Sequence, residues 1–158
     1  MTTNSAYQTV IAAPLGRVGI RMTDDTVSAL DYLAADVPEQ PPVNEAARAV
    51  VAQLEAYFRD PRYRFTVPLA PDGTAFQQRV WAVLREIPPG TVLTYGELAR
   101  QLDTAARAIG GACRTNPLPI LIPCHRVVGR RGLGGYAGAV TGDPLGIKCW
   151  LLRHEGVD

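Results

Sequence analysis

Three prolines in the stretch 117–123 come just before a Cys-His pair. Because proline fixes φ and has no backbone N–H, this stretch cannot continue a helix. The sequence "PILIPCHRVVG" (119–129) therefore predicts a non-helical, apolar segment that ends at Cys124 and His125. From residue types alone, Cys124 is either a small buried core residue or a nucleophile.

The segments before this stretch predict an α+β chain. Residues 7–33 show short apolar stretches broken by turn residues, which predicts strands joined by tight turns. Asn44 and Thr74 are each expected to cap a helix. The apolar stripe of the first helix is predicted to contain Ala47, Val50, Val51, Leu54 and Phe58, and that of the second Phe76, Val80, Val83, Leu84 and Ile87.

We place a domain boundary in the extended, turn-rich segment 61–73. A small N-terminal strand-and-helix domain (1–70) is then followed by a mainly α C-terminal domain (71–158). Within 94–116, two short amphipathic helices with a tight turn suggest a helix-turn-helix, although any helical hairpin shares that spacing. Asp103 or Thr104 is expected to cap the second of these helices, and a last helix is expected around 147–154.

Composition limits the classes of function. Apolar residues make up 47% of the 158 residues, which predicts a packed core. We see no signal peptide and no apolar run long enough to span a bilayer, so we expect a cytoplasmic protein. The three cysteines, an odd number, are expected to be free thiols. With only two histidines and no CxxC pair, we expect no metal site.

Charge is distributed unevenly along the chain. Residues 1–74 carry a net −3 and residues 75–158 a net +4, so the cationic part contains the Cys-His pair. This balance permits DNA binding without requiring it.

A nucleophilic cysteine needs a base or a stabilising positive charge, because only a few per cent of a free thiol is ionised near neutral pH. His125 can supply either, and it works best when a carboxylate orients its second nitrogen. Spacing does not choose among the acids of the C-terminal half. These acids are Glu86, Glu97, Asp103, Asp143, Glu155 and Asp158.

The segment "NPLPILIPCHRVVG" (116–129) resembles the active-site signature of the O6-alkylguanine-DNA alkyltransferases, or methylated-DNA–protein-cysteine methyltransferases. The resemblance extends from about Gly73 to Gly156 and includes "GTAFQQRVWAVLREIPPGTVLTYGELA", "AARAIGGACRTNP", "GGYAG" and "WLLRHEG". It implies a ribonuclease-H-like N-terminal domain, which varies greatly within this family. It also implies direct-reversal repair, with Cys124 taking an alkyl group from the six-oxygen of guanine in DNA and keeping it in a single turnover.

The resemblance also implies roles for site residues. Glu155 would orient His125, which would act on Cys124 through a water molecule. Tyr95 would donate a hydrogen bond to the ring nitrogen N3 of the departing guanine. Asn116 would tie the segment before Cys124 to the second helix of the helix-turn-helix. Residues implied to line the substrate pocket are Val127, Tyr136, Ala137, Cys113 and Lys148.

The implied partner is double-stranded DNA that contains O6-alkylguanine, bound through its minor groove by a monomer, with no cofactor. The alkylated nucleotide must be flipped out of the duplex, and Arg107 would fill the gap it leaves in the stack. Small side chains on the same helix let it approach the groove closely and carry little base-edge information. The residues implied to contact DNA are Ala105, Ala106, Arg107, Ala108, Gly110, Gly111 and Arg114.

The sequence departs from the family pattern at three places. The turn between Leu102 and Ala105 is about two residues short, the segment 139–147 is longer than in many members, and Cys113 stands where a larger apolar residue is common. We therefore expect the pocket to accept groups bulkier than methyl. Three alternatives stay open: a lesion-binding relative without transfer activity, a sequence-specific regulator and a cysteine hydrolase.

Overall fold

The computed structural model describes residues 6–130, 132 and 143–157, and only the backbone of 143 and 144. These residues form helices and a small antiparallel sheet, so the predicted α+β class is confirmed. The chain divides into two compact units, Met1–Asp72 and Gly73–Asp158. Within the described ranges, no helix is long and apolar enough to cross a membrane.

From residue 6 onward, the first unit is a three-stranded antiparallel meander with one helix. The strands follow one another in the order β1-β2-β3, as the turn residues of 7–33 predict. Gly16 and Asp24, both at positive φ, lie at the two tight turns. The ribonuclease-H-like arrangement stays a prediction. The elements are β1 (Thr9–Ala13), β2 (Gly16–Thr23), β3 (Thr26–Leu33) and α1 (Glu45–Arg59).

Helix α1 begins where the sequence predicts. The Ala47 N–H donates to Asn44 Oδ1 at 2.9 Å, so Asn44 is the N-cap. The predicted apolar stripe is confirmed in part, because Val51 and Phe58 are only half-buried and Tyr57 is buried instead.

The described part of the second unit is mainly helical and contains one short pair of parallel strands. A 3₁₀ turn, Cys124–Arg126, leads directly into the second of these strands. The elements are α2 (Ala75–Leu84), β4 (Leu93–Thr94), α3 (Tyr95–Gln101), α4 (Ala106–Arg114), β5 (Val127–Val128) and α5 (Asp143–His154).

Reciprocal side-chain caps fix the starts of α2 and α3. Thr74 and Gln77 form a capping box at α2, as predicted from Thr74, and Thr94 forms another with Glu97 at α3. The buried indole of Trp81 donates to the Ala112 carbonyl at 2.9 Å, which fastens α2 to α4.

Two predicted helix starts are wrong. Helix α4 is capped by Ala105, without a side-chain hydrogen bond, rather than by Asp103 or Thr104. Asp103 instead lies in the left-handed region (φ 53°) and makes the turn, while the Thr104 N–H donates back to Ala99. Helix α5 begins at Asp143, four residues before the predicted position, with Pro144 in its first turn, where proline costs no hydrogen bond.

Candidate active site

Asn116 anchors the proline-rich segment directly after α4. Its Nδ2 donates to the Ile122 carbonyl and its Oδ1 accepts from the Leu118 N–H, both at 2.9 Å. Its own N–H donates to the Cys113 carbonyl at 3.3 Å. Asn116 thus joins the last turn of α4 to the residues that lead into Cys124.

Cys124 begins the 3₁₀ turn and is only 5% exposed. Its N–H donates to the Ile122 carbonyl at 2.8 Å, the same oxygen that Asn116 holds. Burial raises the pKa of the Cys124 thiol, and the Asn116 side chain and the Lys148 ammonium oppose that rise. The thiol is therefore protonated at neutral pH and needs a base to become a nucleophile.

A buried cluster of ionisable groups adjoins Cys124. His125 Nε2 lies 2.8 Å from Glu155 Oε2, and both side chains are fully buried. Glu155 also receives two hydrogen bonds from Arg126, from Nε to Oε1 and from Nη2 to Oε2, each 2.8 Å long. The predicted His125–Glu155 pair is thus brought together, although the two residues are 30 positions apart.

Burial lowers the pKa of His125, and Arg126 and Lys148 lower it further, while Glu155 opposes this shift. The ring is therefore neutral at neutral pH. A neutral ring that donates from Nε2 to the carboxylate keeps a lone pair on Nδ1. Among the described residues, this buried Nδ1 has no hydrogen-bond partner.

Lys148 is a fully buried cation near the Cys124 thiol and the Tyr95 ring. Its Nζ donates to the Val127 carbonyl at 2.8 Å and lies 5.8 Å from the centre of the Tyr95 ring. Burial lowers the pKa of Lys148, whereas the nearby thiols Cys124 and Cys113 favour its charged form. Val127, predicted as a pocket residue, thus holds the Lys148 ammonium through its carbonyl.

Tyr95 and Cys113 complete the surroundings of the thiol. Burial raises the pKa of Tyr95 to about 12 and that of Cys113 to about 12, with a further contribution from Cys124 to each. The Tyr95 hydroxyl is therefore a hydrogen-bond donor throughout the neutral range. Cys113 is 8% exposed on the inner face of α4.

The residues predicted to contact DNA lie together on α4 and its cap. Ala105, Ala106, Arg107 and Arg114 are exposed, and Ala108, Gly110 and Gly111 are half-buried. A Cβ added at Gly110 or Gly111 would meet no described residue within 4 Å. The described part of the chain therefore gives no steric reason for glycine at these two positions.

Two pocket residues predicted from the sequence, Tyr136 and Ala137, lie outside the described residues. So do residues 139–142 of the 139–147 segment. The described side chains contain no group of three or more His, Cys, Asp or Glu residues arranged to hold a metal ion.

Sequence reasoning missed Arg126. This residue is only 7% exposed, and its guanidinium donates to the Ile87 carbonyl as well as to both carboxylate oxygens of Glu155. Its position after an apolar segment could have indicated it. An arginine buried there needs a charged partner, because burying an unpaired charge is very costly.

Comparisons with known proteins agree with this geometry. Residues 75–157 match the family described as 6-O-methylguanine DNA methyltransferase, DNA binding domain. The chain is 39% identical to a methylated-DNA–protein-cysteine methyltransferase of Methanosarcina acetivorans, over 95% of this chain and 98% of the relative. It is 36% identical to the constitutive enzyme of that name from Bacillus subtilis, over 96% of each chain.

Solved structures give the same result. The O6-methylguanine methyltransferase of Mycobacterium tuberculosis matches with a TM-score of 0.78 and 37% identity, over 92% of this chain and 90% of the other. A structure of M. tuberculosis OGT in complex with DNA matches with a TM-score of 0.78 and 35% identity, over 95% and 92%. With residues 75–157 matching the family domain and a 39% identical relative aligned over 98% of its length, the chain belongs to the 6-O-methylguanine DNA methyltransferase family.

Proposed function

We propose that this protein repairs DNA by direct reversal, moving an alkyl group from the six-oxygen of guanine to the Cys124 sulfur. The observation that carries the proposal is a buried thiol next in sequence to a buried His125–Glu155 pair whose Nδ1 has no partner among the described residues. The product is a thioether, which does not revert, so each molecule acts once.

The chemical step is a single displacement. His125 takes the thiol proton through a bridging water, and the sulfur attacks the alkyl carbon. The new S–C bond forms as the C–O bond breaks, and its electron pair stays with guanine, which takes up one proton. No tetrahedral oxyanion forms, so this reaction needs no oxyanion hole of the kind used in acyl transfer.

Tyr95 stabilises the leaving group in this proposal. With a pKa of about 12, its hydroxyl keeps its proton and can donate a hydrogen bond to guanine N3 as negative charge develops on the base. Lys148 favours the thiolate of Cys124 over the thiol. The Tyr95 hydroxyl thus stabilises the negative charge that develops on guanine, and the Lys148 ammonium stabilises the negative charge on the Cys124 sulfur.

DNA binding is assigned to α4. The exposed Ala105, Ala106 and Arg107 and the open surroundings of Gly110 and Gly111 support close approach to a minor groove. Arg107 would occupy the gap left by the flipped nucleotide, and Arg114 would contact phosphate. A similar protein has been solved in complex with DNA, which agrees with this assignment. A cytoplasmic location and a monomeric state stay predictions.

Intact-mass measurement tests the transfer. After incubation with a duplex that carries O6-methylguanine, we expect the protein to gain one methyl group, located on Cys124 by peptide mapping. Cys124→Ala should gain nothing, whereas Cys149→Ala, which removes a half-buried thiol from α5, should react like the native protein. Unchanged mass with tight binding to the lesion would instead indicate a lesion-binding relative, and no lesion preference would indicate a regulator or a hydrolase.

The small Cys113 side chain supports a pocket that accepts groups bulkier than methyl. We expect O6-benzylguanine to transfer its benzyl group to Cys124. Cys113→Met, which restores a larger apolar side chain, should slow benzyl transfer more than methyl transfer. If benzylguanine leaves Cys124 unlabelled while methyl is transferred, this assignment of substrate range is wrong.

A further inference from the structure

Arg126 makes three side-chain hydrogen bonds within the buried cluster. Its Nε and Nη2 reach the two oxygens of Glu155, and its Nη1 donates to the Ile87 carbonyl. A fork of this kind fixes both the position and the plane of a carboxylate. Glu155 Oε2 therefore faces His125 Nε2 in one defined orientation.

The turn after α2 lies against both Arg126 and Glu155. Ile87 provides the carbonyl that holds Arg126, and Gly90 lies at φ 85°, in the left-handed region that favours glycine. A Cβ at Gly90 would come within 3.3 Å of the Glu155 carbonyl oxygen. The turn 87–90 thus contacts both partners of the ion pair.

We propose that Arg126 is a positioning residue that compensates the charge of Glu155 and thereby keeps His125 neutral, with its hydrogen on Nε2 and its lone pair on Nδ1. The inference rests on the proposed function, because Nδ1 is the atom that would take the Cys124 proton. It assigns to Arg126 a role beyond packing.

The reason is charge balance in a site shielded from water. Glu155 and Arg126 together carry no net charge, so a proton added to His125 would be an uncompensated buried cation. Lys148, the other charged group that acts on this ring, also disfavours that proton. Without Arg126, the protonated ring would itself become the partner of Glu155, and Nδ1 could no longer accept.

Nitrogen-15 NMR of the histidine rings tests this directly, without any transfer reaction. The chain has two histidines, so a spectrum of His154→Gln assigns the His125 ring. We expect native His125 to be neutral, with its hydrogen on Nε2, from about pH 6 to about pH 8. In Arg126→Gln the ring should be doubly protonated at a pH where the native ring is neutral.

Two further variants separate this role from simple destabilisation. Arg153→Gln removes the same charge from an exposed position two residues before Glu155, and it should leave the His125 ring unchanged. Arg126→Lys keeps the charge without the fork, and it should keep the ring neutral.

Single-turnover rates supply the functional readout. Arg126→Gln should transfer methyl about tenfold or more slowly than the native protein near pH 6, and the difference should shrink toward pH 9 as His125 loses its proton. Arg126→Lys should recover most of the rate near pH 6. A loss of rate equal at every pH would indicate a structural role only and would refute the proposal.

A doubly protonated native ring near pH 7, or an unchanged ring in folded Arg126→Gln, would also refute it. If Arg126→Gln does not fold, Arg126→Lys decides the question, because a neutral His125 ring in that variant supports charge compensation and a doubly protonated ring refutes it. Failure of methyl transfer in the native protein would count against the proposed function, while the NMR result would still report on Arg126.

Discussion

Alanine at Gly110 or Gly111 should stabilise the fold and weaken DNA binding at the same time. Glycine within a helix is less favourable than alanine by about 1 kcal/mol, because a glycine residue loses more backbone freedom on folding than an alanine residue does. Both positions lie within α4, and a Cβ at either would meet nothing within 4 Å in the part of the chain that the structure describes. Each substitution should therefore raise the free energy of unfolding by about 1 kcal/mol, or the Tm by about 3 °C.

The DNA complex should respond in the opposite direction. Residues three and four apart share a helix face, so Gly110 and Gly111 lie on the side of α4 that carries Arg107 and Arg114. A methyl group there would hold the helix away from the groove. Losing about ten atom contacts at about 0.1–0.2 kcal/mol each would cost about 1–2 kcal/mol, which is about tenfold in affinity.

Thermal unfolding and fluorescence anisotropy with a lesion-containing duplex measure the two effects. Gly146→Ala is the matched control, because Gly146 lies in α5, is exposed, and a Cβ added there would also meet none of the described residues within 4 Å. The control should gain stability without losing affinity. If Gly110→Ala and Gly111→Ala gain stability and keep native affinity, α4 does not approach DNA through this face.

Three further results are expected. Tyr95→Phe should bind lesion DNA normally and slow methyl transfer by roughly a hundredfold in single-turnover assays, because it removes the proposed leaving-group donor; an unchanged rate would exclude that role. Asn116→Ala should lower the free energy of unfolding by about 1–3 kcal/mol in urea titrations, because the Ile122 carbonyl and the Leu118 N–H lose their partner; Thr115→Ala is the neighbouring control. Because folding lowers the pKa of His125, the unfolded chain takes up a proton that the folded chain refuses, so stability should fall as the pH drops below about 6.5. His125→Gln should show a shallower fall, and an identical pH profile would contradict this reasoning.

Local interactions explain which helix starts could be predicted from the sequence. Asn44 and Thr74 cap their helices through residues three positions away, so the signal and its effect lie in one short window. The start of α4 depends instead on Asp103 adopting a positive φ and on the Thr104 N–H returning to Ala99. Neither feature can be read from the local residue types. The preference for Asp and Thr as N-cap residues therefore selected Asp103 or Thr104 instead of Ala105.

The site was predicted unevenly for a related reason. Residue chemistry alone left six acids as possible partners of His125, and only the resemblance singled out Glu155. Arg126 lies 29 residues from Glu155 and 39 from Ile87, and these partners become visible only when the chain is folded. A buried guanidinium can be suspected from its apolar neighbours in the sequence, but its partners cannot be named.

A single-use nucleophile benefits from being unreactive until its substrate arrives. Alkylating agents react with thiolates far faster than with thiols, so an exposed, ionised cysteine would be consumed without repairing anything. In this protein, burial keeps the Cys124 thiol protonated, while Lys148 and a neutral His125 are already in place to favour its ionisation. The Arg126–Glu155 ion pair, which has no net charge, holds the His125 ring in place. The Cys124 thiol therefore becomes reactive only when the buried His125 takes its proton. Only an alkyl group that has entered the pocket can then reach the ionised sulfur.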